Sequence, residues 1–130
     1  MVKYLLYGAK GVTADVIDKE AVKWNFRTTP SGGSLYPTEL YFLSFNVNGI
    51  KSGMYFYNPL NNSAIKLEEY SPSNLRNKIC EGVATLKTTI DGSSLCIILA
   101  SFMLKINFKY VERAYRFVLL EAGHIRQNNR

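Results

Sequence analysis

Thr28-Thr29-Pro30-Ser31-Gly32-Gly33-Ser34-Leu35-Tyr36-Pro37-Thr38-Glu39-Leu40-Tyr41-Phe42-Leu43-Ser44-Phe45 is a loop that runs into a strand. Pro30 biases Thr29 toward extended backbone. Gly32 and Gly33 open backbone angles that other residues resist, and consecutive small residues let a flat ligand approach the main chain. Free N–H groups and the Ser31 and Ser34 hydroxyls are then available to ring heteroatoms or phosphate oxygens. By composition alone, an ordinary loop before a strand is the commoner use of such a segment. The following ELYFLSFNV (Glu39 to Val47) is apolar on both alternation sets, which predicts a central strand covered on both faces.

Working outward, Asn48-Gly49 predicts a tight hairpin. Gly53 to Tyr57 and Ala64 to Leu67 read as two further strands, joined through Asn58-Pro59-Leu60-Asn61-Asn62. Ser71-Pro72 starts a helix, with Ser as cap and Pro in the first turn. Leu95 to Leu104 reads as a buried strand. From Asn107, a plausible cap, Phe108, Val111, Tyr115, Val118, Leu119 and Ala122 recur at helical spacing and predict one long helix to the chain end. Upstream of the loop, Val16, Ile17, Ala21 and Trp24 suggest a short helix over Asp15 to Trp24. Strands cluster rather than alternate with helices, so the expected class is α+β, with a mixed, mainly antiparallel sheet.

The chain has 130 residues, the size of one domain, and 47% are apolar. That excludes a disordered or fibrous protein. The longest apolar run is far short of a membrane span, and the N-terminus makes a poor signal peptide. A cytoplasmic protein with no membrane partner is expected. Net charge is +6, with +4 of it inside residues 105–130. No basic run and no aromatic-basic interleaving accompanies it, so nucleic acid is not the expected partner. Cys80, Cys96 and the single histidine, His124, make no zinc pattern, and two reduced, buried thiols are expected. No triad, GxGxxG or Walker A signature is present. Lys109 and Tyr110 are candidates for proton transfer, since a crowded or desolvated Lys can act as a base and Arg113 is one turn away.

Taken together, the motifs are more specific. Arg27-x-x-Pro30-Ser31-Gly32-Gly33-Ser34-Leu35-Tyr36-Pro37-x-Glu39-Leu40-Tyr41 resembles the first half of a nitroreductase-like flavoprotein, and more narrowly the SagB/ThcOx-type FMN-dependent dehydrogenases. These include azoline oxidases that work beside cyclodehydratases on ribosomally made peptides. Gly53-x-Tyr55-x-Tyr57-x-Pro59 is similar to the family's glycine-tyrosine strand and turn. Lys109-Tyr110-x-x-Arg113-x-Tyr115-Arg116-x-x-x-Leu120-Glu121-Ala122-Gly123-His124-x-x-Gln127-Asn128 is similar to its long central helix. Leu5-Leu6-Tyr7-Gly8-Ala9-x-Gly11 resembles the segment upstream of the loop.

The resemblance implies FMN as cofactor, with Pro30, Ser31, Gly32, Gly33 and Ser34 against the isoalloxazine and Gln127 on the helix near the flavin. Lys109 and Tyr110 match the catalytic pair that assists proton removal while hydride passes to the ring. A homodimer or a complementing chain is implied as partner, with a heterocyclic peptide or a nitroaromatic as substrate. The chain departs from the family at both ends. Gly-His-x-x-Gln-Asn is followed by Asn129-Arg130 instead of a continuing apolar helix, and no phosphate-binding Arg/Ser segment precedes Lys3. The expectation is a single truncated nitroreductase-like domain over 1–130. The alternative is a catalytically inactive remnant that dimerises or binds a peptide, or an incomplete gene product with no activity of its own.

Overall fold

The computed structural model describes residues 1–83, 85 and 87–129. It is a mixed α+β protein, as the sequence predicts. The elements run α1 (Val2–Lys10), β1 (Val12–Ile17), β2 (Lys23–Arg27), β3 (Thr38–Ser44), β4 (Gly53–Asn58), β5 (Ser63–Glu69), α2 (Pro72–Gly82), α3 (Lys87–Asp91), β6 (Leu95–Ser101), α4 (Leu104–Tyr110) and α5 (Ala114–Asn128). Single 3₁₀ turns lie at Gly32–Ser34 and Val111–Arg113. The chain divides into two compact units. One comprises Met1–Glu39, Asn58–Ser63 and Leu99–Arg130; the other comprises Leu40–Tyr57 and Ala64–Ile98.

The second unit is built on a four-stranded sheet in the order β5-β4-β3-β6. β3 and β4 pair antiparallel, Tyr41 opposite Phe56 and Ser44 opposite Gly53. The doubly apolar pattern of β3 has its expected consequence: Leu40, Phe42, Leu43 and Phe45 are all buried. Phe42 stacks on Tyr55 at 4.9 Å between ring centres, and Tyr41 meets Phe56 at 5.3 Å. Asn48-Gly49 does turn the chain, with Gly49 at φ +82 and a bridge between Val47 and Ile50. The strand ends at Ser44, three residues short of expectation, because Phe45 and Asn46 donate their amides to Ser94 instead of continuing the ladder to β4. Leu43, Phe45, Leu75 and Ile90 make the core, with Met54, Ile79, Cys80 and Cys96 packed around it. Both cysteines are free thiols, as expected, but half-buried instead of buried. Ser71 caps α2 by accepting from the Asn74 amide. Arg76 then crosses from α2, its guanidinium 4.5 Å above the Phe45 ring while bonding the carbonyls of Ile90 and Ser93.

The first unit contains two larger departures from the sequence reading. Asp15 to Trp24 is not a helix. It is most of an antiparallel hairpin, with Val16 opposite Trp24 and Ile17 opposite Lys23. The spacing that suggested one helical face also fits cross-strand partners. Asp18 settles the choice: its carboxylate accepts from the amides of Glu20 and Val22 and from the Trp24 indole at 2.8, 2.9 and 3.0 Å. Local capture of amides by an Asp side chain competes directly with a helix. These bonds, the indole first, hold the Asp18 carboxyl below its usual range. The helix that does form upstream is α1, which packs on α5 and buries Leu6 and Ala9.

The second departure concerns the long C-terminal helix. It is two helices. α4 begins at Leu104, three residues before Asn107, and stops at Tyr110. Val111 adopts φ +46, ψ −120, which no helix contains, and α5 starts at Ala114. The apolar repeat persists on both sides, because Ile106, Ala114 and Val118 still join one cluster with Leu35, Tyr110 and Phe117. Side-chain periodicity is blind to one reversed backbone residue. Among the described residues, no helix is long and apolar enough to cross a membrane.

Candidate functional site

The loop of residues 28–38 is held in an unusual shape. Gly33, Ser34 and Tyr36 have φ of +62, +55 and +47, the left-handed region that costs non-glycine residues energy. Three sets of bonds oppose relaxation. The Ser34 amide donates to the Ser31 carbonyl at 3.1 Å. The Tyr36 amide donates to Ser31 Oγ at 3.0 Å. The Tyr36 hydroxyl accepts from the Arg27 amide at 3.1 Å, with the Arg27 guanidinium 4.4 Å from the Tyr36 ring centre. Thr29, fully buried, donates its hydroxyl to the Ala9 carbonyl at 2.5 Å.

α4 presents Lys109 and Tyr110 to the tip of this loop. A Cβ built on Gly33 would stand 2.7 Å from Lys109 Nζ and 2.9 Å from the Tyr110 hydroxyl, so only glycine lets the three groups share this space. Gly32 is also closely approached, its would-be Cβ 3.0 Å from the Phe117 ring. Phe117 in turn packs on Tyr110 with ring centres 4.4 Å apart, fixing the tyrosine from behind. Lys109 is exposed and Tyr110 half-buried. The arrangement is a shallow wall of backbone and small side chains, edged by an ammonium and a phenol. An ammonium and a phenol can exchange protons with a molecule that lies beside them.

The structure therefore brings Gly33 together with Lys109 and Tyr110, and Gly32 against Phe117, while the Ser31 hydroxyl is taken within the loop by the Tyr36 amide. Pro30 is exposed beside them. Gln127 is exposed near the end of α5; its neighbour Asn128 is the residue that reaches the loop, donating to the Thr28 carbonyl at 3.4 Å and Thr29 Oγ1 at 3.3 Å. No group of acidic, His and Cys side chains suited to a metal occurs among the described residues.

Two residues central to the site escaped the sequence reading. Glu121 and Lys10 form an ion pair at 3.3 Å, with their side chains only 1% and 2% exposed. Glu121 also accepts from the Ser31 hydroxyl at 2.5 Å and from the Thr38 amide at 3.3 Å. Glu121 stands inside the helix motif that carries the resemblance, where no role was assigned to it, as a lone carboxylate among apolar positions of α5 on a face shared with Ile125. Lys10 gave no signal, since a Lys at a helix end before glycine reads as solvated.

Burial pushes the Lys10 ammonium from 10.5 down to about 8, outweighing the attraction of Glu121. A folded value below the unfolded one means the folded chain binds fewer protons between pH 8 and 10.5. Stability contributed by this group is therefore lowest below pH 8 and rises toward pH 10.5. Urea unfolding of wild type and Lys10→Met at pH 7.5, 9 and 10 checks this. The wild type should gain relative to the variant as pH rises; a constant difference would contradict it.

Comparison with known proteins bears on the fold. No protein-family model matches the chain. The curated "Putative nitroreductase" of Methanocaldococcus jannaschii is 31% identical over 127 residues, 96% of this chain. The chain spans 57% of that relative's length. A solved structure of the same designation from Anabaena variabilis covers 98% of this chain at 27% identity with a TM-score of 0.86, and this chain covers 25% of it. A chain of the E. coli microcin synthetase McbBCD complex, solved with truncated pro-MccB17 bound, matches over 98% at 24% identity and a TM-score of 0.69, with 46% of that chain covered. The protein has the nitroreductase-like fold. Its resemblance in sequence is to nitroreductase-like oxidoreductases.

Proposed function

We propose that this chain supplies one wall of an FMN site in a hydride-transferring oxidoreductase of the SagB/ThcOx type. The observation that carries the reading is the meeting of Gly33 with Lys109 Nζ and the Tyr110 hydroxyl. The fit to a flavin rests on that cradle, which a single Cβ would fill. Pro30, Ser31, Gly32, Gly33 and Ser34 would hold the ring, with Gln127 near it at the helix end. Bound flavin supplies a two-electron acceptor. In this reading Lys109 and Tyr110 are the pair that assists removal of the proton the substrate loses. The substrate in this reading is a thiazoline or oxazoline in a ribosomally made peptide, formed beforehand by a cyclodehydratase, and the setting is the cytoplasm.

Residues 1–130 act as part of a single domain, completed by an identical copy or a complementing chain. Leu104, Phe108, Val111, Tyr115 and Leu119 support this, since they leave large apolar side chains exposed along α4 and α5. The same stripe also supports the second reading, a catalytically inactive module that dimerises or binds a peptide.

A titration separates the two. Purified protein is expected to quench FMN fluorescence and to show a bound-flavin spectrum, and Lys109→Ala is expected to keep FMN while slowing substrate oxidation at least 100-fold. A folded dimer that leaves millimolar FMN unquenched favours the binding module. Oxidation by Lys109→Ala at the wild-type rate removes Lys109 from the mechanism.

A further inference from the structure

We propose that Glu121 is the positioning residue of this site, fixing the 31–38 turn from behind with Lys10 as its buried counter-charge. The inference rests on the flavin reading for its purpose, though not for its geometry. Glu121 does not reach Gly33, Lys109 or Tyr110, so it acts through what it holds.

Both carboxylate oxygens are committed. Oε2 takes the Ser31 hydroxyl at 2.5 Å, and Oε1 takes the Thr38 amide and Lys10 Nζ at 3.3 Å each. Ser31 Oγ is itself the acceptor for the Tyr36 amide. One carboxylate thus sets both ends of an eight-residue turn, directly at Thr38 and through Ser31 at Tyr36. Asn128, two helical turns further along α5, secures Thr28 and Thr29. Between these anchors lie the three positive-φ residues. Such a run persists only where the surroundings over-determine it.

The charge itself is the second indication. Taking a carboxylate and an ammonium out of water is expensive, and a well-packed apolar pair of similar volume is commonly as stable or more so. A pair retained at 1–2% exposure under a strained loop is explained by the conformation it specifies. Apart from Glu121, the charged groups around Lys10 are Arg27 on β2 and Glu39 on β3. Of the carboxylates, it is Glu121 that hydrogen-bonds the Lys10 ammonium.

The test uses the full chain and three variants: Glu121→Gln, Ser31→Ala, and the double variant Lys10→Met with Glu121→Leu. Two quantities are read, FMN affinity by fluorescence quenching and hydrogen exchange at individual amides in flavin-free protein. In the double variant the fold should persist by circular dichroism, while the Tyr36 and Thr38 amides exchange at least ten-fold faster and FMN binds at least ten-fold more weakly. Glu121→Gln should change both readouts in the same direction. Ser31→Ala, which leaves the ion pair intact, should speed exchange at Tyr36 but not at Thr38, a split that general destabilisation does not produce. Unchanged exchange at both amides in a folded double variant overturns the proposal, and so does equal acceleration at the two amides in Ser31→Ala. If wild type binds no FMN, the flavin reading fails, yet the exchange pattern still decides whether Glu121 anchors the turn. If the double variant does not fold, Ser31→Ala alone decides.

Discussion

Gly53→Ala is expected to lower the unfolding free energy by roughly 3 kcal/mol, near the upper end for a single added methyl group. Gly53 opens β4 with φ +153, a region that L residues rarely adopt. A Cβ there would lie 2.3 Å from the carbonyl oxygen of Glu68 and 3.3 Å from its carbon and from the Cα of Glu69. These are backbone atoms of β5 and its end, so relief requires the neighbouring strand to move. Urea unfolding followed by circular dichroism checks the value. Gly49→Ala is the matched control: it too has a positive φ but no atom within 4 Å, so it bears the conformational cost alone, about 1 kcal/mol. Equal losses in the two variants would show that the contact with β5 contributes nothing.

Gly33→Ala is expected to have the largest effect on function. Its backbone cost is again about 1 kcal/mol. The added carbon, however, meets the ends of two side chains and not main chain, Lys109 Nζ at 2.7 Å and the Tyr110 hydroxyl at 2.9 Å. Lys109 is exposed and swings away easily; Tyr110 is wedged against Phe117 and does not. The fold should survive while the cradle fills. On the flavin reading, FMN affinity should fall at least 100-fold, with a melting temperature within a few degrees of wild type. A variant that quenches FMN as wild type does would mean that the ring, if bound, lies elsewhere.

The two glycines differ in a way the sequence does not display. Gly53 sits in a strand pattern, Gly33 in a loop pattern, and each is intolerant because of what the fold brings opposite it. The sequence did carry the order of motifs, which pointed to nitroreductase-like proteins before any coordinates. It also carried the doubly buried strand, which the structure ends at Ser44 instead of Val47, and the Ser71 cap. The strand and the cap depend on residues within one short window, where apolar alternation or a capping side chain acts locally.

Three things were decided only in three dimensions. The Asp15 to Trp24 segment became a hairpin because Asp18 captured its own turn, where apolar spacing alone fitted both structures. The C-terminal repeat became two helices because Val111 reverses the backbone between them. Lys10 and Glu121, 111 residues apart, became a buried pair beneath the loop. An ion pair across that separation leaves no periodic trace. Its cost and its value both arise from loss of water, and water is lost only once α1, α5 and the loop have packed.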